Sequence, residues 1–418
     1  MSIPFAPIQQ PFTRPRRKAP LPFIALAIGI LASYLPKFFP GGVGVNISYL
    51  GWMVPLLGCG AVVLLQHHRI SFPLLLWLPW VLWVSTYLLF ANADNALQRS
   101  VMLLTPLVIG AGFSTLRVDE PLIKKFRLWL NRFFWIFIAA AGVSTGLLVA
   151  GQLYGASAFA AGSITASLLA AWYAARFSGG DRRALVYWAV LAIVPVLANT
   201  RTGMLVVALT LPLTLAPLSM KKRLIVVSVL IAASLLVFQS ERIQSKMFVS
   251  GQGTLLDAVF GFVDMFSGEQ VASGDFRTTG RKSMNDALVA RLDEAFWFGH
   301  GANTTEAISL VIAGMSHPHN DWLRVLYEYG MLGIVLFALT LLAQMRHALQ
   351  RFSRLRSSGA AIFLYVGAGA FVPMAIFMLS DNVMLYAAWF GNLQFAMLGL
   401  GYAALRTAQR DGSQGATP

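Results

Sequence analysis

The sequence predicts an all-α polytopic integral membrane protein of about twelve transmembrane helices, with one large, partly helical loop between helices nine and ten. Three observations predict it. Of 418 residues 57% are apolar and only 12% are charged, whereas an ordinary soluble domain is about a quarter charged. Mean hydropathy is +0.66. The basic residues recur in alternate loops. Hydropathy this high excludes a disordered chain. The single cysteine, Cys59, excludes an intrachain disulfide and a Cys-rich metal site.

A helix needs about 20 mostly apolar residues to cross the hydrocarbon of a bilayer. The first such stretch, 21–36, follows a basic arm with Arg14, Arg16, Arg17 and Lys18 and ends at Pro36 and Lys37. No small-residue cleavage site marks it as a removable signal. Stretches 47–66, 72–90 and 97–114 come next, then 133–151, 157–175, 184–200, 203–219 and 224–239. The last three are 325–345, 359–380 and 385–405. Several contain Pro or Gly, which neighbouring helices can shelter.

Positive residues favour the cytoplasmic side. With both termini inside, 22 of the 32 Lys and Arg residues fall on that side, among them Arg69, Arg117, Lys124, Lys125, Arg127, Arg132, Arg176, Arg182, Arg183, Arg346, Arg351, Arg406 and Arg410. Only Asp119, Glu120, Asp181 and Asp411 accompany them, so the inner side carries +18 and the outer side −3. The formal +15 and a pI near 10.3 therefore read as orientation, suited also to anionic inner-leaflet lipids. No nucleic-acid partner is expected.

The chain divides into a nine-span membrane region (1–239), a large outer loop (240–322), a three-span membrane region (323–405) and a cytoplasmic tail (406–418). A loop of about 80 residues is long enough to expect function. Residues 254–266 read as an amphipathic helix. Met284, Leu288, Leu292 and Ala295 recur at i, i+4 within 282–296, and 305–313 is apolar enough to lie against the membrane. The loop is net acidic, with six Lys and Arg against ten Asp and Glu, so its arginines are not overflow from a basic chain.

Charges are nearly absent from mid-span, which argues against a transporter or flippase, since such proteins usually keep ionisable groups there. Polar residues gather instead in the loop and at outer span ends. The most informative run is Ser316-His317-Pro318-His319-Asn320-Asp321-Trp322-Leu323-Arg324-Val325-Leu326-Tyr327-Glu328-Tyr329-Gly330-Met331-Leu332-Gly333. His319-Asn320, nine residues, then Gly330 and Gly333 resembles the H-[NSQ]-x9-G-x2-G signature of the bacterial O-antigen ligases. The wider pattern resembles the superfamily that also holds O-antigen and exopolysaccharide polymerases and protein O-oligosaccharyltransferases.

That resemblance implies a glycosyltransferase in the bacterial inner membrane with a periplasmic active site. It implies an undecaprenyl-diphosphate-linked O-antigen donor, a lipid A-core acceptor, and no metal or ATP cofactor. It also implies one arginine at the outer end of a middle span and one in the large loop, matched by Arg201 in Asn199-Thr200-Arg201-Thr202-Gly203 and Arg281 in Thr278-Thr279-Gly280-Arg281. Asp381, in Ser380-Asp381-Asn382, matches an acid common near the outer end of the last spans.

The chemistry of the residues agrees. A planar guanidinium offers bidentate donors to phosphate oxygens. Arginines at headgroup depth can hold a diphosphate and stabilise charge growing on it as it leaves. An imidazole near neutral pKa can accept a proton from an incoming hydroxyl. His319 is the candidate for this base or for placing the acceptor. Arg277, Lys282, His317, Asn320, Arg324 and Asp381 are candidate substrate contacts.

Plainer roles compete for each. His319 can cap or pack a helix. Arg201, Arg99 and Arg324 can snorkel to headgroups. Arg291 reads as a solvated helix face. His317 and His319 form a His-x-His pair with Asp321 nearby, short of the three or four fitted ligands a metal needs. Glu328 can orient a site residue or bond a neighbouring helix. Gly330 and Gly333 read as close helix packing, His300 between Gly299 and Gly301 as loop structure, and Trp77, Trp80 and Trp83 as belt or packing residues.

Overall fold

The computed structural model describes residues 20–34, 49–89, 93–149, 157–198, 200–214, 219–258, 260–261, 277, 281–313, 317–355 and 359–414. Among these the structure is all-helical, without strands. The first ten helices are α1 (Leu21–Tyr34), α2 (Leu50–Leu65), α3 (Leu78–Leu89), α4 (Ala96–Ser114), α5 (Glu120–Val149), α6 (Ser157–Ser178), α7 (Arg183–Leu197), α8 (Arg201–Thr214), α9 (Met220–Phe238) and α10 (Glu241–Met247). There follow α11 (Arg281–Val289), α12 (Thr304–Ala313), α13 (Asp321–Phe352), α14 (Ala361–Gly369), α15 (Phe371–Phe377) and α16 (Gly391–Gln414). Among the described residues three helical segments are long and apolar enough to cross a membrane: Ala96–Ser114, Glu120–Ser144 and Asp321–Leu355. Six shorter apolar segments stand beside them.

The helices pack pairwise, α1 on α2, α4 on α16, and α6 on both α7 and α8. The α4–α16 contact is backbone-close: a Cβ at Gly399 would lie 2.4 Å from the Gly110 carbonyl oxygen. Small residues permit this approach where lipid supplies no hydrophobic drive. Aromatic side chains fill the interior, including Trp80, Phe113, Phe126, Phe134, Trp172 and Phe363. By contrast α9 has no buried residue, as fits a helix at the rim of the bundle.

Two elements depart from the sequence expectation. Helix α5 begins at Glu120, well before the stretch 133–151. Its first turns are amphipathic. Ile123, Phe126 and Leu130 face the core, while Lys124 pairs with Glu120 at 3.0 Å. A hydropathy window sees the charges and misses the buried stripe. The second departure is at 359–405, where two continuous spans were expected. Helix α14 stops at Gly369 and α15 is only seven residues long. Pro373, which has no N–H, cannot continue the hydrogen-bond ladder from α14. Residues 378–386 are then irregular and Ala387–Trp389 form a 3-10 turn before α16 begins at Gly391, although Ser380, Asn382, Val383, Met384 and Leu385 are buried. Irregular backbone at membrane depth is tolerable where it is buried in protein or lines a cavity.

In the large loop, 282–296 resolves into α11 and a 3-10 turn, Leu292–Ala295, and 305–313 falls within α12. Of the expected helix 254–266, residues 255–258 and 260–261 are helical, and residues 259 and 262–266 lie outside the described residues.

Candidate active site

The start of α13 carries the signature histidine. His319 has a left-handed φ of 48°, uncommon for a residue with a side chain. Asn320 follows as the N-cap, its Oδ1 accepting from the Leu323 N–H at 3.0 Å. This satisfies one of the orphan donors of the first turn. Asp321 opens the helix fully buried, and its Oδ2 accepts from the Met384 N–H at 2.7 Å. The irregular segment 378–386 is thereby fastened to the start of α13. Trp322 adds a bond from Nε1 to the Ala375 carbonyl, 2.9 Å.

This contact brings His319 against Asp381 and Asn382. The His319 Nδ1 lies 3.5 Å from Asp381 Oδ1 and 3.5 Å from Asn382 Nδ2. One nitrogen cannot serve both neighbours at once. Protonated, Nδ1 donates to Asp381; unprotonated, it accepts from Asn382. The first choice leaves the Nε2 lone pair available to take a proton. Hydrogen bonds this long commonly tighten when substrate binds.

Arg201 opens α8, and its Nη2 donates to the Arg277 carbonyl at 3.1 Å. Arg281 opens α11. Arg201 is close enough to Arg281 to feel its positive charge, and Arg281 to feel the negative charge of Asp381. Burial pushes the Arg281 guanidinium below its ordinary value, and Asp381 offsets part of that shift. The group stays charged at neutral pH. Thr202 and Ser380 join their hydroxyls and hold the start of α8 to the Asp381 segment. Residues 201, 281, 319 and 381 thus meet in one neighbourhood.

Other candidates are placed differently. Arg277 is exposed, with its Nη2 3.5 Å from the Val249 carbonyl, and its own carbonyl anchors Arg201. Lys282 reaches along α11 to Asp286, 3.6 Å away. His317 is half-buried one residue before Pro318. Arg324 does not snorkel. It is buried, with Nη2 3.0 Å from Asp321 Oδ1. Arg99 is likewise drawn inward, 3.7 Å from Glu306 of α12.

The signature glycines have separate duties. Gly330 interrupts α13 with φ 71° and ψ −176°, a conformation essentially restricted to glycine. The loop corner 296–301 is spliced into this break. The N–H groups of His300 and Gly301 bond the carbonyls of Tyr327 and Glu328 at 2.8 and 3.0 Å. Met331 and Leu332 return donors to Phe296 and Trp297 at 2.8 and 3.2 Å, and Trp83 Nε1 covers the Tyr329 carbonyl at 3.0 Å. A Cβ at Gly330 would lie 2.3 Å from the Trp297 oxygen. Gly330 is therefore a helix break, not the close-packing site the sequence suggested. Gly333 does pack closely, against Trp83 and Tyr329. Glu328 accepts from Thr305 Oγ1 at 2.5 Å, tying α13 to α12. His300 stacks on Tyr327 with ring centroids 4.0 Å apart.

Sequence reading missed Asn382, the Thr202–Ser380 contact and the clamp made by Asp321. The available signal was a polar triplet, Ser380-Asp381-Asn382, inside an otherwise apolar run. Among the described residues no three His, Cys, Asp or Glu side chains converge in a way that could hold a metal ion.

Apolar helices around a half-buried arginine–carboxylate–histidine cluster define a class: a helical membrane protein whose paired arginines suit an anionic ligand. Residues 185–338 match the family model described as O-antigen ligase, and the match supports membership of the O-antigen ligase superfamily. With it comes support for a glycosyl-transferring enzyme that works on lipid-linked polysaccharide in general. The matched region includes Arg201, Arg281, His319 and both signature glycines, and leaves Asp381 outside. No curated protein matches the chain.

Proposed function

We propose that this chain is an inner-membrane glycosyltransferase that moves O-antigen polysaccharide from undecaprenyl diphosphate to the lipid A-core oligosaccharide, working on the periplasmic side. Twelve spans with both termini in the cytoplasm accord with the charge distribution and put the large loop outside. The observation that carries the reading is the single neighbourhood in which His319 sits 3.5 Å from Asp381 while Arg281 stands within charge range of the same carboxylate and Arg201 within charge range of Arg281.

In this reading Asp381 accepts a hydrogen bond from the Nδ1–H of His319 and orients the ring. Nε2 accepts the proton of the acceptor hydroxyl, whose oxygen forms a bond to the anomeric carbon of the donor. The bond from that carbon to the phosphate oxygen breaks, and its electron pair leaves with the diphosphate. Arg201 and Arg281 stabilise the growing negative charge, the role a divalent cation often plays in soluble glycosyltransferases. The activated donor supplies the energy, so neither metal nor ATP is required.

Glycan analysis of cells lacking the protein tests the acceptor. A ligase leaves long glycan on the lipid carrier and removes it from the core. Loss of long chains from the carrier itself would instead identify a polymerase. Transfer to protein would identify an O-oligosaccharyltransferase. Purified protein in detergent, given lipid-linked glycan and core acceptor, separates all three from a flippase, which forms no glycosidic bond.

A further inference from the structure

The strained histidine needs something to hold it. A non-glycine residue in a sparsely populated backbone region persists only when its surroundings enforce it. His319 is such a residue. The Asn320 cap fixes the chain after it by a bond within α13 alone. Only a contact to residues 378–384 can set the distance between His319 and Asp381. Two such contacts leave the start of α13. The Trp322 N–H reaches the Met378 carbonyl at 3.4 Å. Asp321, two residues beyond the histidine, makes the shorter one, on the far side of Asp381 in the chain, through its 2.7 Å bond to the Met384 N–H. Its other oxygen faces Arg324 at 3.0 Å, and both side chains are buried. Glu328 lies within electrostatic reach of the same guanidinium. An ion pair so buried is a weak source of net stability, so its presence beside a strained site residue calls for another role.

We infer that Asp321 is a positioning residue: by joining the start of α13 to the 378–384 segment it sets His319 in register with Asp381, and Arg324 holds the Asp321 carboxylate in place for that bond. The inference rests on the functional reading of His319 given above. Asp321 touches no reacting atom; it acts through the histidine.

The test compares Asp321→Ala with Asp321→Asn in the purified full chain. The asparagine keeps an oxygen for the Met384 N–H, and Glu328 remains to balance Arg324. The alanine removes the bond. Two readouts are taken on the folded, monodisperse fraction: glycan transfer from an undecaprenyl-diphosphate-linked donor, and the rate at which diethylpyrocarbonate modifies His319, followed by peptide mass spectrometry. A displacement of about 1 Å at a reacting group can cost about 100-fold in rate. Asp321→Ala should therefore lose at least about 10-fold in kcat with donor KM within about twofold, because binding is left intact. Its His319 should be modified several-fold faster, while Asp321→Asn stays near the unaltered chain in both measurements. The inference is overturned if Asp321→Ala keeps the original modification rate. It is equally overturned if the variant loses only thermal stability and the folded fraction retains its kcat. Should the unaltered chain transfer no glycan, the functional reading fails, and the modification rates still decide whether Asp321 positions His319.

Discussion

At the Ser114 end of α4, Arg406 donates to the carbonyls of Ser114, Thr115 and Leu116 at 2.7 to 2.9 Å. Arg127 caps the Gly359 carbonyl at 3.0 Å, and Arg176 pairs with Asp181 at 2.5 Å and bonds Asn131 at 3.0 Å. These guanidiniums close helix ends and loops with partners the chain itself supplies, and cations are favoured at helix C-termini. Beside His319 the arrangement is different. Arg201 and Arg281 stand within range of each other's charge, with Asp381 as the carboxylate near Arg281. Arg201 and Arg281 open helices α8 and α11, where the dipole opposes a cation. A cluster so placed is costly on its own and gains from an added anion. The difference teaches that an arginine's surroundings, more than its presence, separate a structural staple from a ligand contact.

Substitutions can break or sharpen this contrast. Among substitutions that test the contrast between the two arginine sets, the largest effect is expected at the crowded pair. Arg201→Ala or Arg281→Ala should lower transfer about 100- to 1,000-fold, the usual cost of removing one donor to a developing charge, with lysine restoring only part because it cannot bind phosphate bidentately. Steady-state kinetics with varied donor check this. Full activity in either variant would make that arginine a surface anchor.

Next in size is Gly330→Ala. The backbone penalty alone is about 1–3 kcal/mol, with the clash against Trp297 added. Thermal unfolding in detergent should show a clear loss, and the loop corner 296–301 should become the first site of proteolysis. A comparable loss, about 2–3 kcal/mol from bonds to a charged donor, is expected for Arg406→Ala. Here kcat per folded molecule should hold, the reverse of the Arg201 outcome. Smallest is Lys282→Ala. Its partner Asp286 is half exposed and the pair is worth under about 1 kcal/mol, so transfer should change less than about threefold. A large donor-KM effect would move Lys282 into the site.

These residues also show what the sequence could carry. Apolar runs locate most helices, because burial among lipids and neighbours is written in side-chain hydropathy. The run at 378–390 defeats that logic. Val383, Met384 and Leu385 are as apolar in irregular backbone as in a helix, and only the hydrogen bonds of Asp321 and Asn382 reveal the difference. His319, Arg201 and Arg281 stand out as candidates through residue type, spacing and resemblance. Their meeting with Asp381 is not legible in the sequence, since it depends on a contact between residues 63 positions apart. The break at Gly330 was hidden for a similar reason: its backbone partners come from the loop corner at 296–301.

The most direct test of the central claim is the rate of glycan transfer by the purified chain carrying His319→Ala, beside the unaltered protein, from a polyprenyl-diphosphate-linked donor to a lipid A-core acceptor. Loss of a positioned general base predicts a fall in kcat of about 100- to 10,000-fold with donor KM little changed. A variant that transfers glycan within twofold of the unaltered rate would contradict the account.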